Sequence, residues 1–206
     1  MLTDEFDVEI IEFEGHGKSA NIDDPYSLDR FCEELSGKVN DKPCHIFGYS
    51  MGGFVAMVLA GQESKNIKSI TTLGTKYEWS PEIASSEIKK LNPDLIEGKV
   101  PAFAKYQAKL HGDGHWKSVM KRTADFMIQL GSSSPINKDL LEKIECPVQL
   151  ILADEDDMVK EKETKNVLAN LTKGAYHVLP GSKHPIERVD LVGLKKLFVD
   201  FILKSS

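Results

Sequence analysis

The sequence predicts an α/β fold, a mainly parallel sheet flanked by helices and interrupted by a helical insertion, and three observations predict it. A short apolar run, the turn Gly48-Tyr49-Ser50-Met51-Gly52 and an apolar helix follow one another without a break over residues 44–60. Strand-like and helix-like runs alternate from residue 8 to residue 73 and resume at Val148, as in parallel strands joined by right-handed crossovers. Between the two lies a stretch, 76–145, with helical periodicity and no strand pattern.

In order along the chain, residues 8–13 read as a strand rich in β-branched residues, although Glu9 and Glu12 make it polar for a central strand. The turn Glu14-Gly15-His16-Gly17 closes it. His16 reads as a structural loop residue, because nothing nearby offers a second metal donor at a usable spacing. Asp24-Pro25 is a helix start, an N-cap followed by proline at the first helical position. Leu28, Phe31, Cys32, Leu35 and Val39 then recur at helical spacing, and the helix ends before Asn40-Asp41-Lys42-Pro43. Residues 45–47 suit a buried strand, and the helix after the turn is apolar nearly all round, as a helix packed between two layers should be. Ile67–Leu73 is another strand, closed by Gly74.

In the insertion, helices are expected from Ser80-Pro81-Glu82, from Pro101, over 116–130 and from Asp139. The run His111-Gly112-Asp113-Gly114-His115 reads as a glycine-rich loop and not as a metal site, since no third ligand is fixed nearby. Val148–Ala153 resumes the sheet, 164–171 is a helix, 175–179 the last strand, and 191–203 a closing amphipathic helix with Leu194, Leu197, Phe198, Phe201 and Ile202 inward.

A chain of 206 residues is one domain with room for a modest insertion. The net charge is −6 with no basic stripe, which argues against a nucleic-acid partner. Cys32, Cys44 and Cys146 are odd in number and far apart, a pattern of reduced thiols. The first residues carry no apolar signal-peptide core, and no apolar run reaches the ~20 residues of a membrane helix, so the expectation is a cytoplasmic protein.

The turn Gly48–Gly52 has a chemical reading. A serine on a sharp strand-to-helix turn takes a strained backbone conformation, and the residues two before and two after it must lack bulk. Its successor, Met51, offers a backbone N–H at a helix N-terminus, where a developing oxyanion is stabilised. Here the chain resembles the α/β-hydrolase family. Gly15-His16-Gly17-Lys18-Ser19 is similar to the family's G-H-G-x-S loop, Ala153-Asp154-Glu155-Asp156-Asp157-Met158-Val159 to its acid loop, and Leu179-Pro180-Gly181-Ser182-Lys183-His184 to its histidine loop.

The resemblance implies a catalytic order of Ser50, Asp156 and His184, with Met51 in the oxyanion hole. Asp154 and Asp157 are the fallback acids. His177 is the rival base, but it lies inside a strand where a loop is needed. The resemblance also implies a core over 1–75 and 146–206, with a helical cap over 76–145 that selects the substrate. Tyr49, Trp79, Phe103, Tyr106 and Trp116 are candidate substrate contacts, the alternative being that the cap aromatics form the cap's own small core.

The leading expectation is a serine hydrolase for a small carboxylic ester or related acyl substrate, with a small-molecule substrate, no cofactor, and no nucleic-acid or membrane partner. Oligomeric state is left open. A carbon–carbon bond hydrolase or lyase on the same fold is the enzymatic alternative. A non-catalytic or inactive truncated protein is the other. The last arises because the family places three strands, and an oxyanion-loop donor, ahead of the point matched by residue 8. On the resemblance the chain reads as an N-terminally truncated hydrolase whose first residues, 1–6, match the tail of a helix.

Overall fold

A computed structural model describes residues 2–3, 5–19, 24–39, 42–62 and 65–205. Asn40 and Asp41, at the expected end of the first helix, and Met1 and Asp4, in the expected helix tail, lie outside the described residues. In chain order the described elements are α1 (Leu28–Val39), β1 (Cys44–Tyr49), α2 (Met51–Gln62), β2 (Ile67–Leu73), α3 (Pro81–Glu87), α4 (Pro93–Lys99), α5 (Pro101–His111), α6 (Trp116–Ser132), α7 (Lys138–Glu142), β3 (Val148–Ala153), α8 (Glu161–Leu168), β4 (Gly174–Leu179) and α9 (Leu191–Ser205). Short 3-10 turns follow α3 and precede α9. None of the described helices is long and apolar enough to cross a membrane.

The chain divides into two compact units. The first comprises Met1–Glu9, Cys32–Glu78 and Pro135–Ser206, the second Ile10–Phe31 and Trp79–Ser134. The first holds the sheet, four parallel strands in the order β1-β2-β3-β4. Side chains alternate across a strand, so successive residues of β2 serve opposite faces. Leu73 packs with Ile151, Leu179 and Leu194, placing α9 on one face. Gly53 of α2 lies against the Thr72 side chain, which places α2 on the other. Every residue from Gly53 to Ala60 is buried, which is why this helix lacks a polar side. Each large apolar side chain so buried contributes about 1.5–3 kcal/mol. The α9 face also carries polar pairs across neighbouring strands, the half-buried His45 Nδ1 with Ser69 Oγ at 2.7 Å and the buried Thr71 Oγ1 with Gln149 Oε1 at 3.2 Å.

One expected strand is absent. Residues 7–13 form no ladder, and β1 is an edge strand paired only with β2 among the described residues. Ile10 is 84 % exposed. Strand propensity alone does not make a strand: without a partner the run gains neither ladder hydrogen bonds nor a buried face. Its polar positions are engaged sideways instead, Glu9 by Lys38 and Glu12 by the Lys18 N–H.

The second unit is helical. Ile96, Ala104, Trp116, Val119 and Met120 form its core, with Leu91 and Ala108 packed against them. α3 and α6 approach closely where Gly131 meets Ala84; a Cβ on Gly131 would stand 2.7 Å from that of Ala84. The helix α4 was not expected, although Asn92-Pro93 carries the same cap-then-proline signal as Ser80-Pro81. The Asn92 side chain accepts from Asp94 N and Leu95 N. Elsewhere the boundaries moved by about one turn: α1 starts at Leu28 rather than Pro25, and α8 at Glu161 rather than Thr164.

The histidines of this unit are held by local contacts. His16 stacks on Tyr26 at 4.6 Å and donates from Nδ1 to the Glu14 carbonyl at 3.3 Å. Burial pushes it down to about 4, against the Glu14 hydrogen bond and together with the nearby His111 and Arg122. His111 Nδ1 accepts from Gly17 N at 2.9 Å, and Arg122 donates to His115 Nε2 at 3.1 Å. Among the described residues no group of three His, Cys, Asp or Glu side chains is placed to hold a metal ion.

Candidate active site

Three loops at the C-terminal ends of β1, β3 and β4, all in the first unit, bring the candidate residues together. Ser50 sits between β1 and α2 with φ +50°, the only non-glycine among the described residues at positive φ. Such a conformation costs of the order of 1–3 kcal/mol and persists only when the surroundings enforce it. The enforcement is visible: Ser50 N donates to Leu73 O at 2.9 Å, and the Thr75 hydroxyl donates to Ser50 O at 3.0 Å. Met51 opens α2, so its N–H belongs to the first turn, where backbone donors lack helical acceptors.

The steric expectation for the turn needs one correction. Gly48 does need to be glycine, because a Cβ there would lie 2.5 Å from Gly53 Cα. Gly52 does not, since a Cβ there would meet nothing within 4 Å. The crowded partner is Gly53, whose missing side chain leaves room for Thr75 Oγ1, Gly48 O and Thr72. Gly53→Ala is therefore expected to destabilise the protein by about 1–3 kcal/mol through overpacking. Gly52→Ala should be neutral or stabilising by up to about 1 kcal/mol. Urea denaturation of the two variants checks this, and equal effects would refute it.

His184 lies on the loop after β4. Its Nε2 is 3.3 Å from Ser50 Oγ and its Nδ1 2.9 Å from Asp156 Oδ2. The Asp156 side chain is almost wholly buried, at 1 % exposure. Its other oxygen, Oδ1, accepts from Met158 N at 2.8 Å and Val159 N at 2.9 Å. Burial pushes the Asp156 carboxyl up, but the His184 hydrogen bond and charge and the two backbone donors outweigh it, leaving the group below the usual carboxylate range. Gly74, at φ +57°, passes directly beside this pair: a Cβ there would stand 3.2 Å from Asp156 Oδ2 and 3.3 Å from His184 Nδ1.

The neighbouring acids do other things. Asp154 accepts from Ser182 N at 3.1 Å, and Glu155 N donates to Ser182 O at 3.0 Å, so the acid loop and the histidine loop are tied together. The backbone donors of Ser182 and Gly181 hold the Asp154 carboxyl below its ordinary range. Asp157 is exposed. His177 lies within β4. Ser182, fully buried, donates to Pro180 O and accepts from Asp190 N, bracing the loop that carries His184.

Of the candidate substrate contacts, Tyr49 is engaged with the histidine loop: its hydroxyl donates to His184 O at 2.9 Å and its ring lies 5.6 Å from the His184 ring. The other four belong to the second unit. Trp116 is buried in that unit's core, Phe103 is exposed, and Trp79 and Tyr106 are half-buried. Thr75, Gly74, Gly53 and Ser182 were not singled out from sequence. Gly74-Thr75 directly after a strand is the one local signal that could have pointed to two of them.

Comparison with known proteins agrees with this architecture. Residues 1–188 match the family described as serine aminopeptidase, S33. No curated protein matches the sequence. Among solved structures, a thermophilic esterase from Thermogutta terrifontis is similar at 18 % identity and TM-score 0.77, over 99 % of this chain and 82 % of that one. An N-formylmaleamic acid deformylase from Pseudomonas putida is similar at 16 % identity and TM-score 0.69, over 95 % and 82 %. A monoacylglycerol lipase from Paleococcus ferrophilus follows at 16 % identity and TM-score 0.64, over 95 % and 82 %.

Proposed function

The chain belongs to the serine aminopeptidase S33 family and is an α/β-fold hydrolase, and on that premise we propose that it is a serine hydrolase of small carboxylic esters or related acyl compounds. The single observation that carries the reading is the line of hydrogen-bonding atoms from Ser50 Oγ through the His184 ring to Asp156. In this reading Ser50 Oγ attacks the acyl carbon as His184 Nε2 takes its proton, and the carbonyl electron pair moves onto oxygen. The Met51 N–H faces that oxyanion, and Asp156 stabilises the imidazolium. Collapse expels the alcohol, which leaves with the proton held by His184. Water, deprotonated by the same imidazole, then releases the acid and regenerates Ser50.

The helical stretch 76–145 serves in this reading as the cap; Trp79, Phe103 and Tyr106 remain candidate substrate contacts within it, whereas Trp116 is taken up by the packing of the helices themselves. The esterase, lipase and deformylase names of the similar structures favour acyl transfer to water as the reaction class. A fluorophosphonate probe tests the reading without the correct substrate. Covalent labelling of the 206-residue chain, lost in Ser50→Ala, is the expected result. A folded, monodisperse sample that does not label would favour the non-catalytic alternative.

A further inference from the structure

A buried carboxylate outside the Ser50–His184–Asp156 line is tied to the same loop. Glu163, the third residue of α8, is 3 % exposed and sits in the first unit. A buried carboxylate is costly unless its oxygens are fully engaged. Here Oε2 accepts from Tyr77 N at 3.0 Å and Glu78 N at 2.9 Å, and Oε1 from Lys160 N at 2.9 Å and Lys76 Nζ at 3.3 Å. The Lys160 contact is one half of a capping box. The other three reach across to the segment that leaves β2.

Lys76 continues the connection. Its Nζ also donates to Met158 O at 3.2 Å. Met158 is the residue whose N–H is given to Asp156 Oδ1. The turn from Asp156 to Lys160 is therefore gripped at Met158 O by Lys76 and at Lys160 N by Glu163, while its inner N–H groups hold Asp156. The Met158 carbonyl held by Lys76 and the Val159 N–H that donates to Asp156 Oδ1 belong to one peptide unit, which couples the grip to the carboxylate that faces His184.

We propose that Glu163 and Lys76 are positioning residues of the candidate active site, holding the 156–160 turn so that Asp156 stays on His184 Nδ1. The proposal rests on the Ser50–His184–Asp156 reading above. Glu163→Gln puts an amide N–H where backbone or lysine N–H groups now donate, so it breaks the grip at nearly constant volume. Lys76→Met removes the ammonium and keeps the chain, and Lys76→Arg restores a cation.

The test uses the full chain, with circular dichroism and thermal unfolding as checks of folding. Two quantities are read: the rate of fluorophosphonate labelling, and the downfield NMR resonance of the His184 Nδ1–H. Glu163→Gln and Lys76→Met are expected to slow labelling about 10- to 100-fold, the scale for misplacing a reacting group by up to about 1 Å. The Nδ1–H resonance should weaken, and Lys76→Arg should recover most of both. Folded variants with the wild-type labelling rate and resonance would overturn the proposal. If Glu163→Gln does not fold, Lys76→Met decides. A wild type that fails to label but shows the resonance would sink the enzyme reading alone; the resonance in the variants then still decides the positioning role. A wild type with neither overturns both.

Discussion

His184→Ala is expected to reduce ester turnover about as far as Ser50→Ala does, on the order of 10⁶-fold, and the double variant no further. The reason is that the two groups act as one device. A serine hydroxyl is a poor nucleophile at neutral pH, so an intact Ser50 without a base gives almost nothing, and an intact base has nothing to activate. Ser50 Oγ to His184 Nε2 is 3.3 Å, long for such a contact, but bonds of this kind tighten when substrate arrives. Turnover of a substrate found by screening short acyl esters gives the measurement. Losses that multiply in the double variant would mean that Ser50 and His184 work independently, and a loss of the same size in His177→Ala would move the base to β4.

The fold was readable where one local pattern sufficed. The apolar run, the glycine-flanked serine and the all-apolar helix constrain one another over seventeen contiguous residues, 44–60, and a sheet with a helix on each face follows. Ile67–Leu73 and Val148–Ala153 were equally clear, because buried parallel strands are near-continuous apolar or β-branched runs, broken here by Lys68, Ser69 and Gln149. Residues 8–13 are also rich in β-branched residues, though interrupted by Glu9 and Glu12, and yet form no strand, since pairing depends on a neighbour that propensity does not supply. The spacing rule for the serine turn missed in the same way: it gave weight to Gly52, whereas the crowding comes from Thr75 and Thr72, brought in from the end of β2. The geometry around Asp156 was readable only in part. The acid-loop register singled out one of three neighbouring carboxylates, but Glu163 lay just ahead of the helix expected over 164–171, and no role was read into it. Nothing near it in sequence shows that Tyr77, Glu78 and Lys76 converge on it.

Asp156→Asn separates the three acids most sharply, with an expected fall in labelling rate of about 10⁴-fold. The argument lies in the two oxygens. Asp156 Oδ1 accepts from Met158 N and Val159 N, so an asparagine must keep its carbonyl oxygen there. Its NH₂ then faces His184 Nδ1, where Asp156 Oδ2 now sits at 2.9 Å. Facing a donor, Nδ1 must accept, which drives the ring proton to Nε2, the atom that should receive the proton of Ser50. The side chain keeps its shape while the imidazole is locked in the wrong tautomer, so the loss is chemical, and the fold should survive. Asp154→Asn can still accept from Ser182 N and should cost less than tenfold, and Asp157→Asn should change the rate little, because that side chain is exposed and no hydrogen bond links it to His184. Labelling rates of the three variants, measured side by side with circular dichroism to confirm folding, check the ranking. An Asp156→Asn rate within tenfold of wild type would remove Asp156 from the chemistry, and a fall of about 10⁴-fold in Asp154→Asn would put the charge on the neighbouring loop position instead.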